Sequence, residues 1–120
     1  YMPVTAELLL RVASKEIGDV KMISIREHRF PFLKKVEDWN RFNKNTGGTL
    51  VEKCCHFFDL MCIAADSEPK QVFASGAQSV NHREEIYDGL TPDILDNAFV
   101  IVDFENAACV WRRCTKSKHC

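Results

Sequence analysis

The stretch GGTLVEKCCHFFDLMCIAA, residues 47–65, limits the fold of this chain more than any other. From about Thr49 to Ala65 it is long enough for a helix rather than a strand, and it is apolar on nearly every side. Such a helix holds in water only if other elements bury it, so the remaining sequence must supply a surface broad enough to cover it. The chain has 120 residues, which suffices for one domain with one modest core.

Alternating stretches supply that surface. In AFVIVDFEN, Val100, Val102 and Phe104 fall on one face and Phe99 and Ile101 on the other. The stretch from Asp19 to Phe30 alternates as well. Ile23 and Ile25 share a parity with Glu27 and Arg29, whereas Met22 and Ser24 take the opposite one. KQVFASGAQSV reads as a further strand. A first helix is expected to begin at Pro3, whose missing N–H is harmless in a first turn, and to stop at Gly18. Residues 31–48 lack a clean period and are expected to form a long loop, while residues 81–97 read as a connection with room for a short helical turn. The order of elements predicts an α+β domain, a mostly antiparallel sheet covered by helices on one face.

Composition narrows the function. Sixteen Lys and Arg stand against seventeen Asp and Glu, a formal charge of -1, without the basic excess of a nonspecific nucleic-acid binder. No apolar run reaches the roughly 20 residues that span a bilayer, and no basic segment with a long apolar core opens the chain. The six cysteines follow no disulfide framework, so free thiols in a reducing cytoplasmic setting are expected. There is no Cys-x-x-Cys and no His-Glu-x-x-His, so no metal is expected.

The ionisable residues inside the apolar helix carry the chemistry. Glu52 and His56 are four residues apart and share a helical face. A carboxylate beside an imidazole can orient it and raise its basicity, and Asp59 follows three residues later. The same spacing also describes a salt-linked pair at a partly buried helix end, and spacing alone does not separate the two. Arg26 and His28, on one face of a strand, either end that strand in solvent or line a polar ligand site. Trp39, beside Asn40 and Arg41, is either a packing anchor or a sugar-stacking ring.

Gly47, Gly48, Glu52, His56 and Asp59 together resemble the C-terminal domain signature of the Gfo/Idh/MocA oxidoreductases, the glucose–fructose oxidoreductase and inositol dehydrogenase relatives. Glu52 stands where that family usually has Asp. The helix from Pro3, the Ile17-Gly18-x-Val20 step into a strand, Trp39 before the Gly pair and ILDNAFVIVDFEN extend the resemblance over residues 1–108. It implies a substrate-binding and oligomerisation domain of an NAD- or NADP-dependent enzyme acting on a sugar or cyclitol hydroxyl. His56 would be the base and Glu52 its support. Asp59, Trp39, Asn40, Arg26 and His28 would be substrate contacts, and the sheet would self-associate.

No Gly-x-Gly-x-x-Gly occurs, so the chain alone is expected neither to bind the dinucleotide nor to turn over substrate. A non-catalytic self-association module of the same origin is the second expectation. Ala107 stands where the family usually turns on Gly, and residues 109–120 are basic. They are expected to form a separate, atypical tail outside the sheet.

Overall fold

The computed structural model describes residues 2–115. Helix α1 spans Pro3–Ala13 and strand β1 spans Met22–Arg29. A 3-10 segment, Val36–Arg41, and the short helix α2, Asn43–Thr46, lead into α3, Thr49–Ala65. Strands β2, Pro69–Ala77, β3, Asn97–Phe104, and β4, Ala108–Thr115, complete the order.

The four strands form one sheet in the order β1-β4-β3-β2. The β2–β3 and β3–β4 pairings are antiparallel, and β1–β4 is parallel. This is the mostly antiparallel α+β sheet expected. Helix α3 lies across one face, where Cys54, Met61 and Ala65 meet Ala98, Val100, Val102, Phe104, Cys109 and Trp111. Two-residue periodicity on β3 thus becomes strict alternation of buried and open positions: Val100 and Val102 are sealed, while Phe99 and Ile101 stay exposed on the opposite face.

Four expectations need correction. Helix α1 ends at Ala13, not Gly18. Ser14 N–H closes onto Leu10 O, Ser14 Oγ onto Arg11 O, and Lys15 takes a left-handed φ of 57°, which turns the chain before the glycine. The segment 31–48 contains the 3-10 segment and α2 rather than loop alone. Helix α3 is buried along one stripe only, with Val51, Cys55, His56, Asp59 and Ile63 exposed, because one sheet face can cover one side of a helix. Lastly, the division at 108/109 falls inside the sheet. Strand β4 runs through Thr115 and lies between β1 and β3. Cys109 and Trp111 keep the two-residue alternation and are fully buried, which outweighs the basic residues around them. The β3–β4 link passes Glu105 and Asn106, closed by Phe104 N–H to Ala107 O, with no left-handed backbone at residues 105–107. Ala therefore serves without strain. Residues 116–120 of the expected tail lie outside the described residues.

The long connection 78–96 is tied down rather than loose. Asp96 accepts the backbone N–H groups of Ser79, Val80 and Asn81. Asp93 binds the Asn43 backbone N–H through Oδ1 and the Asn43 side-chain amide through its carbonyl. Thr49 Oγ1 donates to Leu95 O at 2.8 Å. The Thr49 bond anchors the first residue of α3 to this connection, and the Asn43 bonds hold the preceding helix α2 against it.

Candidate functional site

The Gly pair sets the start of α3. Gly47 caps α2 with φ 71°, and Gly48 has φ 90° and ψ 169°, a conformation open to glycine and little else. Thr46 Oγ1 accepts the Gly48 N–H. From this anchor Glu52, Lys53 and His56 emerge along the first two turns of the helix.

Glu52 and His56 lie one turn apart, but Glu52 is engaged elsewhere. Its Oε1 accepts from Lys35 Nζ at 3.2 Å and from the adjacent Lys53 Nζ. Partial burial pushes the Glu52 carboxyl up, and the Lys53 and Lys35 bonds outweigh it and hold the group below the usual carboxylate range. His56 is exposed, and its ring packs on Phe57 with centroids 4.0 Å apart. Asp59, one turn further, is exposed.

Beside Glu52 opens a cleft of about 480 Å³ at the end of β1. His28, Arg29, Phe32, Lys35, Asn40 and Lys53 contribute to its wall. The backbone of Glu37 and Asp38 is left-handed, φ 55° and 51°, which turns Asn40 and Arg41 inward. Asn40 is 1% exposed, its Nδ2 donates to Leu33 O, and its Oδ1 has no hydrogen-bond partner. Trp39 is partly exposed, with Lys35 Nζ 4.7 Å from its ring centroid. Lys53 reaches over Phe32 at 5.6 Å.

The structure therefore brings His28, Trp39, Asn40 and Glu52 to one region, with His56 one turn beyond Glu52. It does not bring Arg26 there. Arg26 has the parity of Met22 and Ser24, is exposed, and pairs in register with residue 112, whereas Ile25 pairs with Trp111 on the helix-covered face. His28 shares that strand face, but it sits at the end of β1 where the cleft opens, whereas Arg26 lies further back along the strand and does not line it. Residue-by-residue reading missed Lys35, Lys53 and Arg29. Only Lys53 carried a signal, its adjacency to Glu52. Among the described residues no group of His, Cys, Asp and Glu gathers to hold a metal. No helix among them is long and apolar enough to cross a membrane.

A second polar cluster lies behind the cleft. Arg41, 2% exposed, donates through Nε to Glu85 Oε2 at 2.7 Å. Glu85 also accepts from Tyr87 Oη at 2.8 Å and meets His82 Nδ1 at 3.0 Å. It buttresses the inward turn at residues 39–41.

Several solved structures share this fold. A probable dehydrogenase from Thermotoga maritima is 25% identical with a TM-score of 0.67, the match covering 98% of this chain and 32% of that one. A myo-inositol dehydrogenase from Corynebacterium glutamicum is 21% identical with a TM-score of 0.67, covering 93% and 31%. A super-repressor mutant of Gal80p from Saccharomyces cerevisiae is 14% identical with a TM-score of 0.72, covering 95% and 33%. The chain thus spans about a third of the length of the structures it matches. No curated protein matches it in sequence. Residues 11–119 match the sequence model described as the oxidoreductase family C-terminal alpha/beta domain, and the chain belongs to that family, the C-terminal domain of the Gfo/Idh/MocA oxidoreductases.

Proposed function

We propose that this chain is the substrate-binding part of an NAD(P)-dependent oxidoreductase that acts on a hydroxyl of a sugar or cyclitol. The observation that carries the reading is the line of Glu52, Lys53 and His56 along two turns of α3, beside a cleft that also holds Asn40 and lies next to Trp39. Oxidising a hydroxyl carbon requires the O–H proton to leave. The exposed imidazole of His56 accepts it through a free ring nitrogen lone pair, the chemistry of a general base. Glu52, one turn earlier, orients this end of the site through its lysine bonds, and Asp59 supports His56 from the following turn. Trp39 offers an aromatic face to the C–H side of a sugar ring, while Asn40 and His28 supply polar contacts.

A nicotinamide dinucleotide would supply the hydride chemistry. The residues here do not fit it. The chain has no Gly-x-Gly-x-x-Gly turn, and at the Gly pair Asn43 Oδ1 lies 2.8 Å from where a Cβ on Gly48 would sit, so no pyrophosphate cradle opens there. No step is drawn through the dinucleotide.

The test uses the oxidoreductase in which this chain accompanies a dinucleotide-binding domain. His56→Ala is expected to lower kcat by about a hundredfold or more with the fold intact. Unchanged turnover would remove His56 as the base.

A second reading is a non-catalytic self-association module. Phe73, Phe99 and Ile101 are exposed together on the uncovered sheet face, and β2 is an exposed edge. The shared fold with a Gal80p repressor variant is compatible with it. Light scattering separates the outcomes: a dimer supports self-association through the sheet, and a monomer at high concentration rejects it.

A further inference from the structure

The cleft beside Glu52 carries more charge than a neutral polyol needs. Three fixed cations, Arg29, Lys35 and Lys53, line it. Among the described residues two carboxylates answer them. Glu27 approaches Arg29 at 3.5 Å, and Glu52 is shared by Lys35 and Lys53. One positive charge is left over. Moreover, the two lysine ammonium groups converge on a single carboxylate oxygen, so their spacing already suits a carboxylate. The Lys35 side chain is 43% exposed, so it can turn from Glu52 toward an incoming anion without a change of backbone. The Oδ1 of Asn40 is buried, unpartnered and part of the cleft-lining residue, and it wants a donor such as a hydroxyl. At about 480 Å³ the cleft falls within the range of ligand pockets, about 300–1,000 Å³.

We infer that the substrate is a carboxylated monosaccharide, a uronate or aldonate class sugar acid. Its carboxylate is held by Lys35 and Lys53 and one of its hydroxyls donates to Asn40. This inference rests on the sugar-hydroxyl reading above and narrows its substrate class. A single residual positive charge matches a monoanion better than a phosphate ester, which carries nearly two negative charges near neutrality. Charge-assisted bonds from two lysines then supply both affinity and discrimination against neutral sugars.

The experiment is calorimetric titration of the full chain with glucuronate, glucose, myo-inositol and glucose 6-phosphate, in low and in high salt. Glucuronate is expected to bind at least about tenfold more tightly than the neutral compounds, with the advantage falling in high salt. Lys35→Ala and Lys53→Ala should each weaken glucuronate about tenfold and weaken neutral sugars far less, whereas Lys35→Arg retains glucuronate binding. Equal binding of glucose and glucuronate overturns the inference, as does tighter binding of the phosphate ester, indifference to both lysine variants, or no binding at all. Binding of neutral polyols alone would leave the sugar-hydroxyl reading standing while the charged class fails, so the two readings fail separately.

Discussion

Arg41 Nε donates to Glu85 Oε2 at 2.7 Å, joining residues 44 positions apart in sequence. The guanidinium is sealed from solvent and the carboxylate also serves Tyr87 and His82. Among the described residues Glu85 is the one carboxylate paired with Arg41, so Glu85→Gln strands a buried charge. It should destabilise the domain by about 3 kcal/mol, read as a shifted midpoint in urea unfolding.

The same cluster makes stability depend on pH. Partial burial of Glu85 pushes its carboxyl up, but the bonds from His82, Tyr87 and Arg41 outweigh it and hold the group at about 2, below its ordinary value of 4.5. The unfolded chain therefore takes up the proton first as pH falls. The contribution is complete above about pH 4.5 and is lost as pH drops toward 2. With solvent screening at this partly exposed site it amounts to about 1–2 kcal/mol. The stability gap between wild type and Glu85→Gln should narrow by that amount over the same window.

Gly48→Ala should be harmful out of proportion to one methyl group. The residue has φ 90°, and the new Cβ would sit 2.8 Å from Asn43 Oδ1, whose amide also binds Asp93. Strain and a displaced tie together predict about 2–4 kcal/mol of destabilisation, measurable by thermal unfolding. Gly18, left-handed but with nothing within 4 Å, should lose less on the same substitution.

Trp111 separates packing from polarity. It is fully buried against Phe57 and Phe58, with ring centroids 6.3 and 6.1 Å away, and its Nε1 has no hydrogen-bond partner. Trp111→Ala should cost about 3–5 kcal/mol through the cavity it leaves. Trp111→Phe removes the unsatisfied N–H along with some area and should cost far less, about 1 kcal/mol. Near-neutral Trp111→Ala would mean that β4 is not the strand between β1 and β3.

Lys35→Ala should raise the Glu52 carboxyl toward the ordinary range, because one of the two ammonium groups that outweigh its burial is removed. Titration of the Glu52 side chain by carbon-detected NMR measures this directly, and an unmoved titration would mean that Lys53 alone holds the carboxylate.

Sequence determined the parts of this protein that depend on local periodicity. The apolar run at 49–65 and the two-residue alternation of 97–104 could be nothing but helix and strand, and both fall where the sequence places them. The Gly pair marked the turn that opens α3 because the conformation of Gly48 excludes side chains. Glu52 and His56 were legible as neighbours on one helical face for the same geometric reason.

Tertiary structure decided which neighbours those side chains use. Glu52 turns to Lys35, 17 positions away, because folding brings the 31–41 segment over the first turn of α3. Asn40 and Arg41 are buried by a reversal at Glu37 and Asp38, residues whose types give no warning of left-handed backbone. Strand β4 joined the sheet despite its basic residues because backbone pairing with both β1 and β3 and burial of Cys109 and Trp111 outweigh charge at the remaining positions. Periodicity is written in a window of a few residues; the company an ionised group keeps is set by chain segments tens of residues apart, and only the packed domain brings those together.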